Sequence, residues 1–279
     1  MIATSKIAKI KPKMVSVEKY NNDANEILKL YLKNTADRVG IEKYIDKTKE
    51  GEKKIFKKRL YVLFSSDKGT CGAINTNIFK ETTKIIKDCK SEGSEAIILP
   101  IGKKAGQFVK SNSEKLGFDV VETKEPISAE QCNSSVISKI VANIVEAYDK
   151  GDFDCVNFVF HKYKNIITCF PISLQLLPFD AKSIGLDGKG IEKSEDFINI
   201  EETDGTARSI VEFFVRTKLY NAYISNIASI FSSRMNAMDN ATKNGQEIID
   251  ELLIKYNKGR QAHITSELSD IVSGFEAIS

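Results

Sequence analysis

The sequence predicts an α/β domain inserted between two terminal helices that pair as a long antiparallel coiled coil, and three observations predict it. Short β-favouring runs alternate with helical patterns through the middle of the chain. A tract of roughly 70 residues at the C-terminus holds no proline and carries apolar residues at coiled-coil spacing. The only other helical stripe of that spacing lies at the N-terminus.

The N-terminal stripe runs Ile7, Ile10, Met14, Val17, Asn21, Ala24, Leu28 and Tyr31, in steps of three and four. Pro12 sits inside it, where a proline removes one hydrogen bond and crowds the preceding turn at about 3 kcal/mol; a kink or break is expected near Lys11. A charged stretch from Asp37 to Lys58 then gives way to a strand at Arg59 to Ser66. Further strands are expected at Ala96 to Gly102, around Phe118 to Val121, and at Cys155 to Phe160. The helical patterns Asn75 to Cys89, Lys103 to Ser111 and Ala129 to Tyr148 separate them. This alternation argues for a mostly parallel sheet, with the run from His161 to Leu177 returning as an antiparallel hairpin at its edge.

From Ala207 onward the seam reads Phe213, Thr217, Tyr220, Ile224, Ile227, Phe231, Met235, Met238, Thr242, Gly245, Ile249, Leu252, Tyr256, and resumes at Ile264, Leu268, Ile271 and Phe275. The doubled step of four at Phe231 to Met235 is a stutter. Roughly 70 helical residues make a rod on the order of 100 Å, against a radius of gyration of ~16 to 19 Å for a 200-residue domain. Such a helix is expected to project from its domain, and its apolar stripe needs the N-terminal helix as a partner. The expected divisions are 1–35 for the first coil helix, 36–204 for the α/β domain with its charged connections, and 205–279 for the long C-terminal helix.

Composition is that of a folded protein, with 42% hydrophobic and 28% charged residues. The net charge of +3 hides an asymmetry, since residues 1–60 carry net +8 and the remainder −5. A basic arm can meet an acidic partner, nucleic acid or lipid headgroups, but a lysine-rich solvated helix face explains it as well. Five cysteines form no CxxC pair and their number is odd, so neither a zinc knuckle nor a disulfide framework is indicated. The longest uncharged runs, Leu219 to Ser233 and Asn165 to Phe179, are shorter than the roughly 18 residues of a membrane span. No direct span is therefore expected. Met1 to Lys6 lacks a signal-peptide hydrophobic core.

The turn Ser66, Asp67, Lys68, Gly69, Thr70, Cys71, Gly72 follows a strand and opens a helix, which is where phosphate loops sit. It is neither GxxxxGK[ST] nor GxGxxG, and Asp67 is a poor lining for an anion. A structural turn and helix cap is the better reading of the segment. Cys71 has no histidine near it in sequence, and His161 and His263 have no ligand spacing. No catalytic residue, metal site or cofactor is expected.

Three stretches carry a resemblance. Lys13-Met14-Val15-Ser16-Val17-Glu18-Lys19-Tyr20 is similar to a Lys-Met-Val-Ala-Ala-Ala-Lys-Tyr stretch, and Ser66 to Gly72 to a Ser-Asp-[Lys/Arg]-Gly-Leu-Cys-Gly turn with Thr70 for leucine. The third covers Ser233 to Asn244 and Tyr256 to Gly274, including Arg260-Gln261-Ala262-His263-Ile264-Thr265. Together they resemble the gamma subunits of F-type ATP synthases, colinearly along the chain.

The resemblance implies a Rossmann-like α/β domain between the coiled-coil helices, and a central-stalk rotor whose tip sits in a ring of alternating alpha and beta subunits. It implies delta and epsilon subunits and a membrane c-ring as further partners, with no nucleic acid. Arg234, Arg260, Gln261, Thr265 and Asp270 match positions where the family's shaft meets the ring; without the resemblance they would read as ordinary solvated rod residues. By the match at Lys13 to Tyr20 the first helix starts about three turns late. The run Arg234 to Ala241 is closer to mitochondrial than bacterial relatives, which implies the matrix side of the mitochondrial inner membrane. Two rivals remain: a soluble α/β enzyme with a helical oligomerisation arm and a ligand near Gly69 to Gly72, and a nucleic-acid-binding coiled coil.

Overall fold

The computed structural model describes residues 2–34, 42–46, 56–121, 127–130, 132–180 and 204–276. Most of the charged stretch Asp37 to Lys58 lies outside them, as do the expected boundary at 35–36 and the residues just before 204. Among the described residues the α-helices are α1 (Ile2–Asn34), α2 (Ile74–Ser91), α3 (Lys103–Leu116), α4 (Ser134–Lys150) and α5 (Asp204–Glu276), with a 3-10 turn at Glu42–Tyr44. The strands are β1 (Ile45–Asp46), β2 (Lys58–Phe64), β3 (Glu95–Ile101), β4 (Asp119–Val120), β5 (Cys155–Tyr163), β6 (Cys169–Leu177) and β7 (Phe179–Asp180).

β2 forms because Leu60 to Phe64 is an unbroken apolar run, all of it buried, as suits a strand covered on both faces. It pairs in parallel with β3 on one side and β5 on the other. The sheet order is β4-β3-β2-β5-β6, parallel except for the β5–β6 hairpin. One face carries Tyr61, Leu63, Ile98 and Val159 against Ile78 and Ile86 of α2 and Ala105 and Val109 of α3. β1 and β7 make a separate two-residue parallel pair. A chain that runs outward through β2, β3 and β4 and then returns to place β5 on the other side of β2 is doubly wound, and its topological switch point lies between β2 and β5.

The expected stripe on α1 is what the structure buries. Ile7, Val17, Ala24, Leu28 and Tyr31 are buried, and Ile10, Met14 and Asn21 are half-buried. Tyr20 meets Phe213 edge-on at 5.5 Å between ring centroids, while Lys6 sits over the Phe231 ring at 5.1 Å. Low numbers on α1 therefore face high numbers on α5, and the pair is antiparallel.

Two expectations need correction. α1 is not broken near Lys11 but continues through Pro12; Pro12 forfeits a single backbone bond, and the buried stripe on both sides of it keeps the helix together. α4 begins at Ser134 and not near Ala129, because the amides of Ala129 and Glu130 are taken by Asp67 and the Asn133 side chain caps the helix by accepting from the Val136 amide at 2.9 Å.

The molecule divides into two compact units, Met1–Arg234 and Met235–Ser279. α1 and the first part of α5 thus belong with the sheet in one unit. The second unit is helical through Glu276, and its seam residues Ile249, Leu252, Tyr256, Ile264, Leu268 and Ile271 are all exposed. The coiled-coil pairing expected along the whole rod is found against α1 only within the first unit.

Candidate functional site

In a doubly wound sheet the ligand crevice opens at the carboxyl ends of the strands beside the switch point, here beyond Phe64 of β2 and along the end of β5. β5 outruns β2: the ladder between them ends at Leu63–Val159, leaving His161 and Tyr163 without a strand on that side. α5 supplies the missing partners. The His161 amide donates to Asn226 Oδ1 at 3.2 Å, the Tyr163 amide to Ser225 Oγ at 2.9 Å, and Ser225 Oγ donates to the His161 carbonyl at 3.1 Å. Ser229 Oγ reaches the same carbonyl at 3.4 Å, and Ser233 Oγ donates to the Cys71 carbonyl at 2.6 Å. Asn226 and Ser229 are buried and Ser225 and Ser233 half-buried, and these polar residues on an apolar helix face are explained by the backbone groups they satisfy. The crevice is filled by the chain's own helix.

The turn after β2 is equally committed. At the N-terminus of α3 the amides of Lys103, Lys104 and Ala105 donate to Asp67 Oδ1 at 3.0 Å, the Ser66 carbonyl at 3.1 Å and Ser65 Oγ at 2.6 Å. Three donors that could cradle a phosphate are thus occupied. Asp67 also accepts from Ser128 Oγ at 2.7 Å and from the amides of Ala129 at 3.1 Å and Glu130 at 2.9 Å. Burial works against its charge, but the Glu130 amide, the Ser128 hydroxyl and the amides of Lys103 and Ala129 together hold the carboxyl below its ordinary range. Ser66 Oγ donates to the Lys68 carbonyl at 2.6 Å and lies 3.3 Å from Cys71 Sγ, with the Asn75 amide group 2.8 Å from Ser66 Oγ. Gly69 leaves room beside Lys104, and Gly72 takes a positive φ of 61° to close the turn. The sequence singles out these residues but not their partners Ser65, Ser128 and Glu130, for which it holds no local signal.

The five residues matched to ring contacts separate into two sets. Arg234 lies in the first unit with its guanidinium 3.2 Å from Glu130 Oε1 and 5.2 Å from the Phe231 ring centroid. Lys6 approaches the other Glu130 oxygen at 3.8 Å, so Glu130 ties α1 to α5. Arg260, Gln261, Thr265 and Asp270 lie in the second unit and are exposed. Thr265 Oγ1 donates to the Gln261 carbonyl at 2.8 Å. At about 100° per residue, Gln261 and Thr265 share a face and Asp270 points to the far side, so the four surround the helix.

His161 is the buried titratable group of the crevice, and burial pushes its imidazole down to about 4, the Asn226 side chain offsetting part of the effect. A histidine depressed in the folded state contributes stability that is complete above its unfolded pKa of about 6.5 and is lost as pH falls from there towards about 4. The loss is expected to be ~3 kcal/mol. Denaturant titrations at pH 7 and pH 4 should show it, and His161→Gln should flatten the dependence over that window; an unchanged slope would place the imidazole in contact with water. Among the described residues no group of three or more His, Cys, Asp or Glu could hold a metal ion.

The structure is a doubly wound domain packed against α1 and the first part of α5, with its crevice closed by α5. The structure matches a central stalk and c-ring structure of the mitochondrial ATP synthase of Tetrahymena thermophila with a TM-score of 0.54 at 20% identity, over 87% of this chain and 100% of that one. An OSCP/F1/c-ring structure of the Euglena gracilis mitochondrial ATP synthase matches with a TM-score of 0.54 at 18% identity, over 99% of this chain and 95% of that one. In sequence, a family model described as ATP synthase matches residues 1–278. The ATP synthase gamma chain of Pelagibacter ubique is 29% identical over 279 residues, covering 100% of this chain and 91% of the relative. That of a Sulfurovum species is 33% identical over 222 residues, covering 79% and 73%. The chain belongs to the ATP synthase gamma-chain family.

Proposed function

We propose that this chain is the central-stalk rotor of an F-type ATP synthase, a shaft without a catalytic site of its own. It couples proton-driven rotation of a membrane ring to ATP synthesis at the beta subunits. The observation that carries the reading is the crevice at the switch point: α5 occupies it through Ser225, Asn226, Ser229 and Ser233, so the sheet serves to grip a helix and not a ligand. The rival enzyme reading needs that space and the α3 amides, and both are taken.

The second unit supports a seat inside a ring. Its apolar seam is exposed in the single chain, and an exposed stripe of this length marks a surface that a partner covers. Arg260, Gln261, Thr265 and Asp270 surround the helix, which fits an enclosing partner and not a one-sided one. Guanidinium and amide groups can engage carboxylates and release them without deep burial, as a rotating contact requires. Arg234 is assigned to the same family contact by motif, but its Glu130 pair lets it also anchor α5. The asymmetric shaft then presents a different face to each beta subunit in turn, shifting the conformations each can adopt. The partners are the alpha and beta ring, the delta and epsilon subunits and the c-ring. The site is the matrix side of the mitochondrial inner membrane, with the chain peripheral; no described helix is long and apolar enough to cross a membrane.

Two measurements test this. A tag inserted at Gly188 to Gly190, which lie outside the described residues, should bring down one copy of this chain per three alpha and three beta subunits from native membranes. In the assembled enzyme, Arg260→Ala with Gln261→Ala should lower ATPase turnover or assembly by roughly five-fold or more while circular dichroism and the melting of the isolated subunit stay unchanged. Unaltered assembly and turnover in that double variant would remove these residues from the contact.

A further inference from the structure

Between α1, the first part of α5 and the start of α4 lies a cavity of about 780 Å³, within the ~300 to 1,000 Å³ typical of small-molecule sites. Its α5 wall is made by Tyr223, Ile224, Ile227 and Phe231, and α1 adds Ile10. A second cavity of about 660 Å³ continues along the same groove towards Tyr20. Lys13, Ser134 and Tyr220 line both, so the two meet at these residues.

The charges around this groove are one-sided. Lys6, Lys9 and Lys13 follow at steps of three and four, share one face of α1 and line the first cavity. The only carboxylate among its lining residues is Glu130, which is already engaged by Arg234 at 3.2 Å and by Lys6 at 3.8 Å. Lys9 and Lys13 have no carboxylate partner among the described residues. The second cavity is lined by Arg216 and by no acidic residue, and the first turn of α4 holds none either. A lysine on an open helix face is satisfied by water. Two that overhang an apolar hollow are placed to meet a molecule that carries both a charge and an apolar body.

We propose that this groove binds one small amphipathic anion, a carboxylate or phosphate monoester carried on an apolar body. The head lies where the cavities meet, against Lys9, Lys13 and the Ser134 hydroxyl, because Glu130 repels it at the other end. The body runs back along α1 from Lys13 towards Lys6, a length of about 10 Å at 1.5 Å per residue, and covers Ile10, Ile224 and Ile227. Two uncommitted lysines match a single head of one or two negative charges. A broad polyanionic surface would reach the lysines but not the wall behind them. The occupant bridges α1 to α4 and α5, and every residue of the site lies in the first unit, so binding by the isolated chain tests the site apart from the shaft reading.

Decyl phosphate, kept below its micelle concentration, is the probe. Calorimetry on the full chain, alone and in the assembled enzyme, should show one site per chain. Decanol, which lacks the charge, and inorganic phosphate, which lacks the body, should each bind about 10-fold or more weakly. Lys9→Gln with Lys13→Gln should weaken decyl phosphate by a similar factor and leave circular dichroism unchanged, because both side chains are exposed. Cys132 lines the cavity, so saturating probe should slow alkylation of its thiol by N-ethylmaleimide several-fold and leave Cys169 unaffected. No binding, equal binding by the double variant, equal binding of decanol or an unprotected Cys132 would overturn the proposal. So would binding only to phosphatidylcholine vesicles carrying phosphatidic acid, where the lysines read a membrane surface, or binding that is lost on assembly, where another subunit fills the groove.

Discussion

Gly102→Ala is expected to cost roughly 4 kcal/mol or more, the largest effect of any single substitution considered. Gly102 joins β3 to α3 at φ 105°, a conformation that side-chain-bearing residues rarely adopt. A Cβ there would lie 2.5 Å from Ser65 Oγ, 2.6 Å from the Ser65 carbonyl oxygen and 2.9 Å from its carbon. The collision is with backbone, so no rotamer relieves it. Ser65 cannot retreat without releasing its amide from the Ile101 carbonyl at 2.8 Å and its hydroxyl from the Ala105 amide. Gly106→Ala is the control, since a Cβ at Gly106 meets nothing within 4 Å and alanine favours the helix by up to about 1 kcal/mol. Urea midpoints of the two variants should move in opposite directions; a Gly102→Ala chain as stable as the parent would refute the close approach of β2 to the start of α3.

Asp67→Ala is expected to cost about 3 to 5 kcal/mol, because four donors lose a charged acceptor at once. Asp67→Asn should fall between, keeping an acceptor but losing the charge. The Asp67 carboxyl is held low in the folded state, so its contribution is present above the unfolded carboxylate pKa near 4 and is lost as pH falls through the lower folded value. Denaturant titrations at pH 7 and in the acid range should show the parent losing this increment and Asp67→Ala lacking it throughout. An Asp67→Ala protein of full stability that had lost a bound small molecule would restore the enzyme reading.

Much of this architecture was legible in the chain. The α1 stripe from Ile7 to Tyr31 and the apolar strand runs are local patterns, and burial followed them position by position. The hairpin at Cys169 was legible too, because a run with no charge after a buried strand has few other ways to pair. Of the kink or break expected at Pro12, the break does not occur, since the cost of a proline is fixed locally while the packing that offsets it is not. The start of α4 misled for a similar reason: Ala129 and Glu130 fit the helical period, but a carboxylate some sixty residues earlier claims their amides.

The candidate site shows the same division. The sequence by itself determined the main helices and the strands of the larger sheet, that Ser66 to Gly72 is a turn, and through its motifs the family. These are matters of period, turn chemistry and local composition, which a linear chain carries. Only the tertiary structure decided that α5 fills the switch-point crevice, that Asp67 and Ser65 cap α3, and that Arg234 is tied to Glu130. Each of these joins groups far apart in the chain whose pairing is settled by which buried donors and acceptors would otherwise go unsatisfied, and that quantity exists only once the chain is folded.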